Sequence, residues 1–126
     1  MRPSERGALS EQTGRQAEEA AARFLIKKGY ELLGRRYRCR FGEIDLIMRD
    51  RDQIVFVEVK YRRNCDWGTP AESVNAAKRR KLLLAARAYL GETGTEDLSC
   101  RFDLVEITVI EGKRMARHIE NMMGGE

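Results

Sequence analysis

The sequence predicts an α/β fold: one mixed, twisted sheet flanked by helices. Three observations carry that expectation. Two long segments repeat apolar residues at helical spacing. Runs rich in β-branched and aromatic residues stand between and after them, separated by polar or glycine-bearing turns. Finally, a helix separates the third strand from the fourth, which predicts a right-handed crossover into a parallel pair. At 126 residues there is room for one domain with a real core.

Residues 1–11 hold Pro3, Gly7 and mixed polar residues and are expected to form a mobile tail before a domain spanning 12–121. From Thr13 to Lys28 the spacing of Ala17, Ala21, Phe24 and Leu25 is helical, with Thr13 as N-cap and Gly29 as C′ residue. Glu18 borders the apolar stripe of this helix, having Ala21, Ala22 and Leu25 as its neighbours. A carboxylate there needs a partner or costs stability. Near the start of a helix it is also favoured by the dipole.

Residues 30–38 read as a first strand in which Gly34 marks a bulge. Two more strands follow, Gly42-Glu43-Ile44-Asp45-Leu46-Ile47 and Val55-Phe56-Val57-Glu58-Val59-Lys60, around the polar connection 49–53. Alternation puts Glu58 and Lys60 on one face and Val55, Val57 and Val59 on the other. The same rule puts Glu43 and Asp45 together, opposite Ile44 and Leu46. A loop over residues 61–70 carries Trp67, expected to cover a core edge. The second helix covers 71–90, with Val74, Ala77, Lys81, Leu84 and Ala88 on one stripe flanked by Lys78, Leu82, Ala85 and Tyr89. Residues 91–99 form a turn, 100–110 a strand, and 115–119 a short last strand after the turn at Glu111-Gly112. Residues 122–126 are expected to fray.

The net charge of +4 says little alone, but its placement says more. Arg35-Arg36-Tyr37-Arg38-Cys39-Arg40 and Lys78-Arg79-Arg80-Lys81 contain no acid, and such patches fit a polyanion. Three dispersed cysteines and a single histidine, His118, exclude a structural zinc site. With no signal-peptide core or membrane-length apolar run, the expectation is a cytoplasmic protein with reduced thiols and no membrane partner.

The chemistry centres on the middle strands. A short antiparallel pair brings Asp45, Glu58 and Lys60 together. Two carboxylates without His or Cys support are hard oxygen ligands that suit Mg²⁺ or Mn²⁺. Such an ion lowers the pKa of a bound water and neutralises charge developing on a phosphodiester, while Lys60 positions or deprotonates that water. Glu18 completes the metal shell if the first helix lies against this edge. An E-x-K on a strand is also a frequent surface pairing; the preceding Asp, the element order and the basic helix favour catalysis.

The motifs Gly14-Arg15-Gln16-Ala17-Glu18, Gly42-Glu43-Ile44-Asp45-Leu46-Ile47, Phe56-Val57-Glu58-Val59-Lys60-Tyr61-Arg62, Val74-Asn75-Ala76-Ala77-Lys78 and Arg101-Phe102-Asp103 resemble those of the YraN family of bacterial proteins. That family is similar to the PD-(D/E)XK restriction-endonuclease-like superfamily, in particular to archaeal Holliday junction resolvases. The resemblance implies an αβββαβ core and a metal-dependent nuclease. Asp45 matches the motif's aspartate, Glu58 its second acid and Lys60 its lysine, with Ile44 replacing the proline. Glu18 matches an acid carried on the first helix, and Lys78 a basic position on the second helix that approaches substrate phosphate. On charge grounds Arg38, Arg62, Arg63 and Arg79 join Lys78 as phosphate contacts, while Asp103 reads as structural. The function expected is an endonuclease acting on DNA, with branched or otherwise structured DNA as one substrate class and RNA as the other polyanion the charge permits. A nucleic-acid-binding accessory of recombination or repair without catalysis is the alternative, and a protein-interaction adaptor a third. By analogy with junction resolvases, a homodimer is also expected.

Overall fold

A computed structural model describes residues 3–63 and 75–123, with side chains described for 14–62 and 75–123. The order is α1 (Pro3–Lys27), β1 (Glu31–Cys39), β2 (Gly42–Asp50), β3 (Gln53–Arg63), α2 (Ala76–Thr93), β4 (Ser99–Ile110) and β5 (Lys113–Ile119). The expected loop over 64–70 with Trp67, and the expected helical residues 71–74, lie outside the described residues.

The five strands form one sheet in the order β1-β2-β3-β4-β5. Pairs β1–β2, β2–β3 and β4–β5 are antiparallel. β3 and β4 are parallel over their whole length, from Gln53 opposite Ser99 to Arg63 opposite Val109. This is the mixed sheet and the parallel crossover pair that the sequence predicts. The bulge falls beside Gly34, where the β1–β2 register shifts between Leu32 and Gly34.

The helices cover opposite faces. Ala17, Ala21, Ala22 and Leu25 of α1 pack on Leu46, Met48, Val55, Val57, Val105 and Ile107. On the other face Leu82, Ala85 and Ala86 of α2 pack on Ile44, Ile47, Ile54, Phe56 and Phe102. Each large aliphatic or aromatic side chain so buried stabilises the fold by about 1.5–3 kcal/mol. α1 ends as its sequence requires: Gly29 stands at φ 101, its N–H reaches Ile26 O, and the Tyr30 N–H reaches Leu25 O. That is the paired bonding of a Schellman cap.

Several boundaries differ from expectation. α1 runs back to Pro3, so residues 3–11 are helical rather than a tail; Pro3 suits a first turn because its missing N–H has no intrahelical acceptor there. β3 extends to Arg63, taking Tyr61–Arg63 from the expected loop, because β4 pairs with it throughout. α2 continues to Thr93 and is capped by Gly94 at φ 68. Its buried stripe runs through Leu82, Ala85 and Ala86, while Ala77 and Lys81 are exposed, a rotation of one position from the expected stripe. Met122 and Met123 do not fray: both pack on the α2-side core, and the Met122 N–H bonds to Phe102 O at 2.7 Å.

Candidate active site

Along β2 the expected alternation of faces breaks at Asp45. Ile44 lies in the α2-side core and Leu46 in the α1-side core, although residues two apart in a regular strand share a face. The β2–β3 pairing ends at Leu46 opposite Val57. Beyond that point Asp45 Oδ2 accepts the Val59 N–H at 2.8 Å. A side chain thus takes a donor that a backbone carbonyl would otherwise take, and the carboxylate is fixed where the two strands part.

Burial, with the neighbouring Glu58 carboxyl adding to it and the Val59 N–H opposing it, raises the Asp45 carboxyl to about 8. Glu58 is buried, and alternation from Phe56 places it on the α2 side of β3. Lys78 Nζ, in the first turn of α2, lies 2.7 Å from Glu58 Oε2. Burial opposes the charge of Lys78, but Glu58 outweighs it and holds the ammonium above its ordinary value. Lys60, one alternation beyond Glu58, is pushed the other way by burial and by Lys78 beside it. Two lysines in contact, one favoured as ammonium and one eased toward the free amine, stand next to two crowded carboxyls. The structure therefore brings Asp45, Glu58, Lys60 and Lys78 into one site.

Glu18 reaches the same region from α1. Its charge contributes to the raised Asp45 carboxyl, yet its Oε1 is held by Arg36 Nε at 2.8 Å. Among the described residues, no three His, Cys, Asp or Glu side chains are grouped to hold a metal ion. The donor set nevertheless fits a hard dication: Asp45 and Glu58 offer only oxygen, and their crowding is the charge imbalance that a dication relieves.

The other predicted residues fall around this centre. Arg62 Nε donates to Glu106 Oε2 at 2.8 Å, and Arg117 Nη2 meets Glu106 Oε1 at 3.1 Å. Arg79 follows Lys78 in α2, and its buried Nε has no hydrogen-bond partner. The first turn of α2 contains no acid. Arg38 is exposed at the β1 edge and pairs with Glu43 at 2.6 Å, which makes Glu43 a surface partner. Arg63's side chain lies outside the described residues. Asp103 is wholly committed to structure: its carboxylate takes Arg101 Nε, His118 Nε2 and the Asn121 N–H.

Two site residues escape sequence reasoning. Glu106 shares a strand face with Phe102, Leu104 and Thr108, and only the parallel register, which sets it opposite Lys60, reveals its place. Arg36 is the partner that a half-buried Glu18 demands, but its identity depends on how β1 docks against α1.

Fold and site define an α/β protein with a carboxylate–lysine centre where two strands of a mixed sheet part. The chain belongs to the uncharacterised protein family UPF0102, the YraN family, whose model matches residues 17–107. It is 46% identical over 114 residues to a UPF0102 protein of Symbiobacterium thermophilum, covering 90% of this chain and 97% of that one. A UPF0102 protein of Pseudomonas paraeruginosa is 43% identical over 111 residues, 87% of this chain and 89% of the relative. No helix among the described residues is long and apolar enough to cross a membrane.

Proposed function

We propose that this protein is a divalent-metal-dependent endonuclease hydrolysing phosphodiester bonds, with structured or branched DNA as the substrate class. The observation that carries the reading is the cluster at the gap in the β2–β3 ladder, where Asp45, fixed by the Val59 N–H, and the buried Glu58 stand with Lys60 and Lys78. Asp45 and Glu58 would hold Mg²⁺ or Mn²⁺, which supplies an acidified water and neutralises charge at phosphorus. Lys60, eased toward its free amine by burial and by Lys78, takes the proton of the attacking water or donates to the phosphoryl oxygen. The start of α2 supports an anionic partner. Helix N-termini favour negative charge, and this one carries Lys78 and Arg79 with no acid to offset them. A phosphate backbone supplies that missing anion.

Cleavage of plasmid, junction and RNA substrates with Mg²⁺ or Mn²⁺ tests the proposal. Asp45→Ala and Glu58→Ala should each remove activity by at least about 100-fold; cleavage that survives both rejects it.

One observation favours a second reading, a nucleic-acid-binding protein without catalysis. Glu18 and Glu58 are each already neutralised by an internal cation. That reading requires salt-sensitive binding that is indifferent to metal, with no cleavage of any substrate.

A further inference from the structure

Among the described residues, four other than glycine have positive φ: Arg36, Arg51, Glu111 and Asn121. Arg51 sits in the β2–β3 turn, Glu111 in the β4–β5 turn, and Asn121 in the turn after β5. Turns need such conformations. Arg36, at φ 50, is the one inside a strand. It stands between the pairs Arg35–Leu46 and Tyr37–Ile44, and so faces Asp45 across the β1–β2 ladder.

A strand normally sends successive side chains to opposite faces. The left-handed step at Arg36 defeats that rule, and Arg35 and Arg36 both reach α1, the first pairing with Glu19 and the second with Glu18. The two pairs differ in setting. Arg35–Glu19 is exposed, at 45% and 42%, whereas Arg36–Glu18 is half-buried, at 32% and 19%. Arg36 also feels the charges of Glu43 and Asp45. Strained backbone of this kind persists only where its surroundings enforce it, and it concentrates at functional sites.

We propose that Arg36 is an internal counter-ion that competes with the divalent cation for Glu18, so that its release from Glu18 sets how tightly the metal binds. This rests on the metal-dependent reading above. A carboxylate oxygen held at 2.8 Å by a guanidinium is not available to a dication. Arg36 supplies positive charge to the cluster when the ion is away, and metal occupancy requires that charge to give way. Arg36 is thus a positioning residue, acting through Glu18.

Mn²⁺ titration of the full chain, followed by calorimetry, tests the exchange without any substrate. Arg36→Asn keeps a residue tolerant of positive φ and removes the charge. Arg36→Gly adopts that backbone without strain and guards against a folding artefact. Both should tighten Mn²⁺ binding by about tenfold, the scale of one modest charge interaction. Arg36→Lys should stay near wild type, and adding Glu18→Gln should cancel the gain. If wild type binds Mn²⁺ through Asp45 but neither Arg36 variant binds more tightly, the counter-ion role is overturned and the metal reading stands. A gain that persists with Glu18→Gln also overturns it. If wild type and every folded variant fail to bind Mn²⁺, the metal reading falls, and this inference with it.

Discussion

Asp45 reaches across the end of the β2–β3 ladder and takes the Val59 N–H at 2.8 Å, so a carboxyl stands in for a main-chain carbonyl. The cost is electrostatic. Burial and Glu58 raise the Asp45 carboxyl to about 8, and the folded protein therefore holds a proton that the unfolded chain releases near pH 4. Between those values the native state binds more protons than the unfolded state, so stability falls as pH rises. The slope is at most about 1.4 kcal/mol per pH unit. Asp45→Asn retains an acceptor for Val59 and cannot ionise. Urea midpoints measured without metal from pH 5 to 8 should decline in wild type and decline less in Asp45→Asn, with the variant the more stable at pH 8. Parallel curves would show that Asp45 does not hold the proton.

Two strands away, on β4, the sign reverses. Asp103 is fully buried, yet its bonds to His118, Arg101 and the Asn121 N–H outweigh burial and hold its carboxyl below the ordinary value. A depressed pKa contributes stability above the unfolded value, near 4, and loses it as pH falls. Asp103→Asn should cost about 2 kcal/mol at pH 7, from weakened charge-assisted bonds. The difference from wild type should shrink below about pH 4. Because the network binds β4 to β5 and α1 rather than lining the site, Mn²⁺ affinity of the folded variant should be unchanged.

The contrast between these two aspartates shows what sequence can disclose. Periodicity suffices for the layers, because apolar spacing specifies which face of α1 or β3 is buried; Gly29 and Gly34 announce a cap and a bulge through their chemistry. Asp45, Glu58 and Lys60 were legible because two strands joined by a short turn meet in a narrow range of registers. Glu106 and Arg36 were not. Their places depend on a parallel pairing across a helix and on a left-handed residue inside a strand, and neither leaves a local signal. Alternation itself misled at Asp45, where the strand departs from regular pleat in order to present the carboxyl.

Glu106 tests the packing of the site. Its side chain is 0% exposed, and it sits between Arg62 and Arg117, which are 25% and 43% exposed. Removing one member of a buried charge cluster destabilises by about 3 kcal/mol, since its partners keep charges they can no longer neutralise. Glu106→Ala should lose about that much by urea denaturation. Arg117→Ala should lose less, because Arg62 continues to neutralise Glu106. Equal losses would mean that Arg117, and not Arg62, carries the neutralisation of Glu106.

Arg79 separates phosphate contact from catalysis. Its Nε is buried without a hydrogen-bond partner, in a helical turn that carries no acid, and a phosphate oxygen would satisfy both the donor and the helix end. Each phosphate contact adds roughly 0.9 to the slope of log affinity against log salt on duplex DNA. Arg79→Ala should therefore reduce that slope by about 1 and weaken binding alike on all sequences. Fluorescence anisotropy from about 50 to 200 mM salt, in EDTA, measures this without cleavage. Arg38→Ala is the control: Arg38 is exposed on β1 and already paired with Glu43. A slope that changes with Arg38 and not with Arg79 would move the nucleic-acid surface from the start of α2 to the edge of β1.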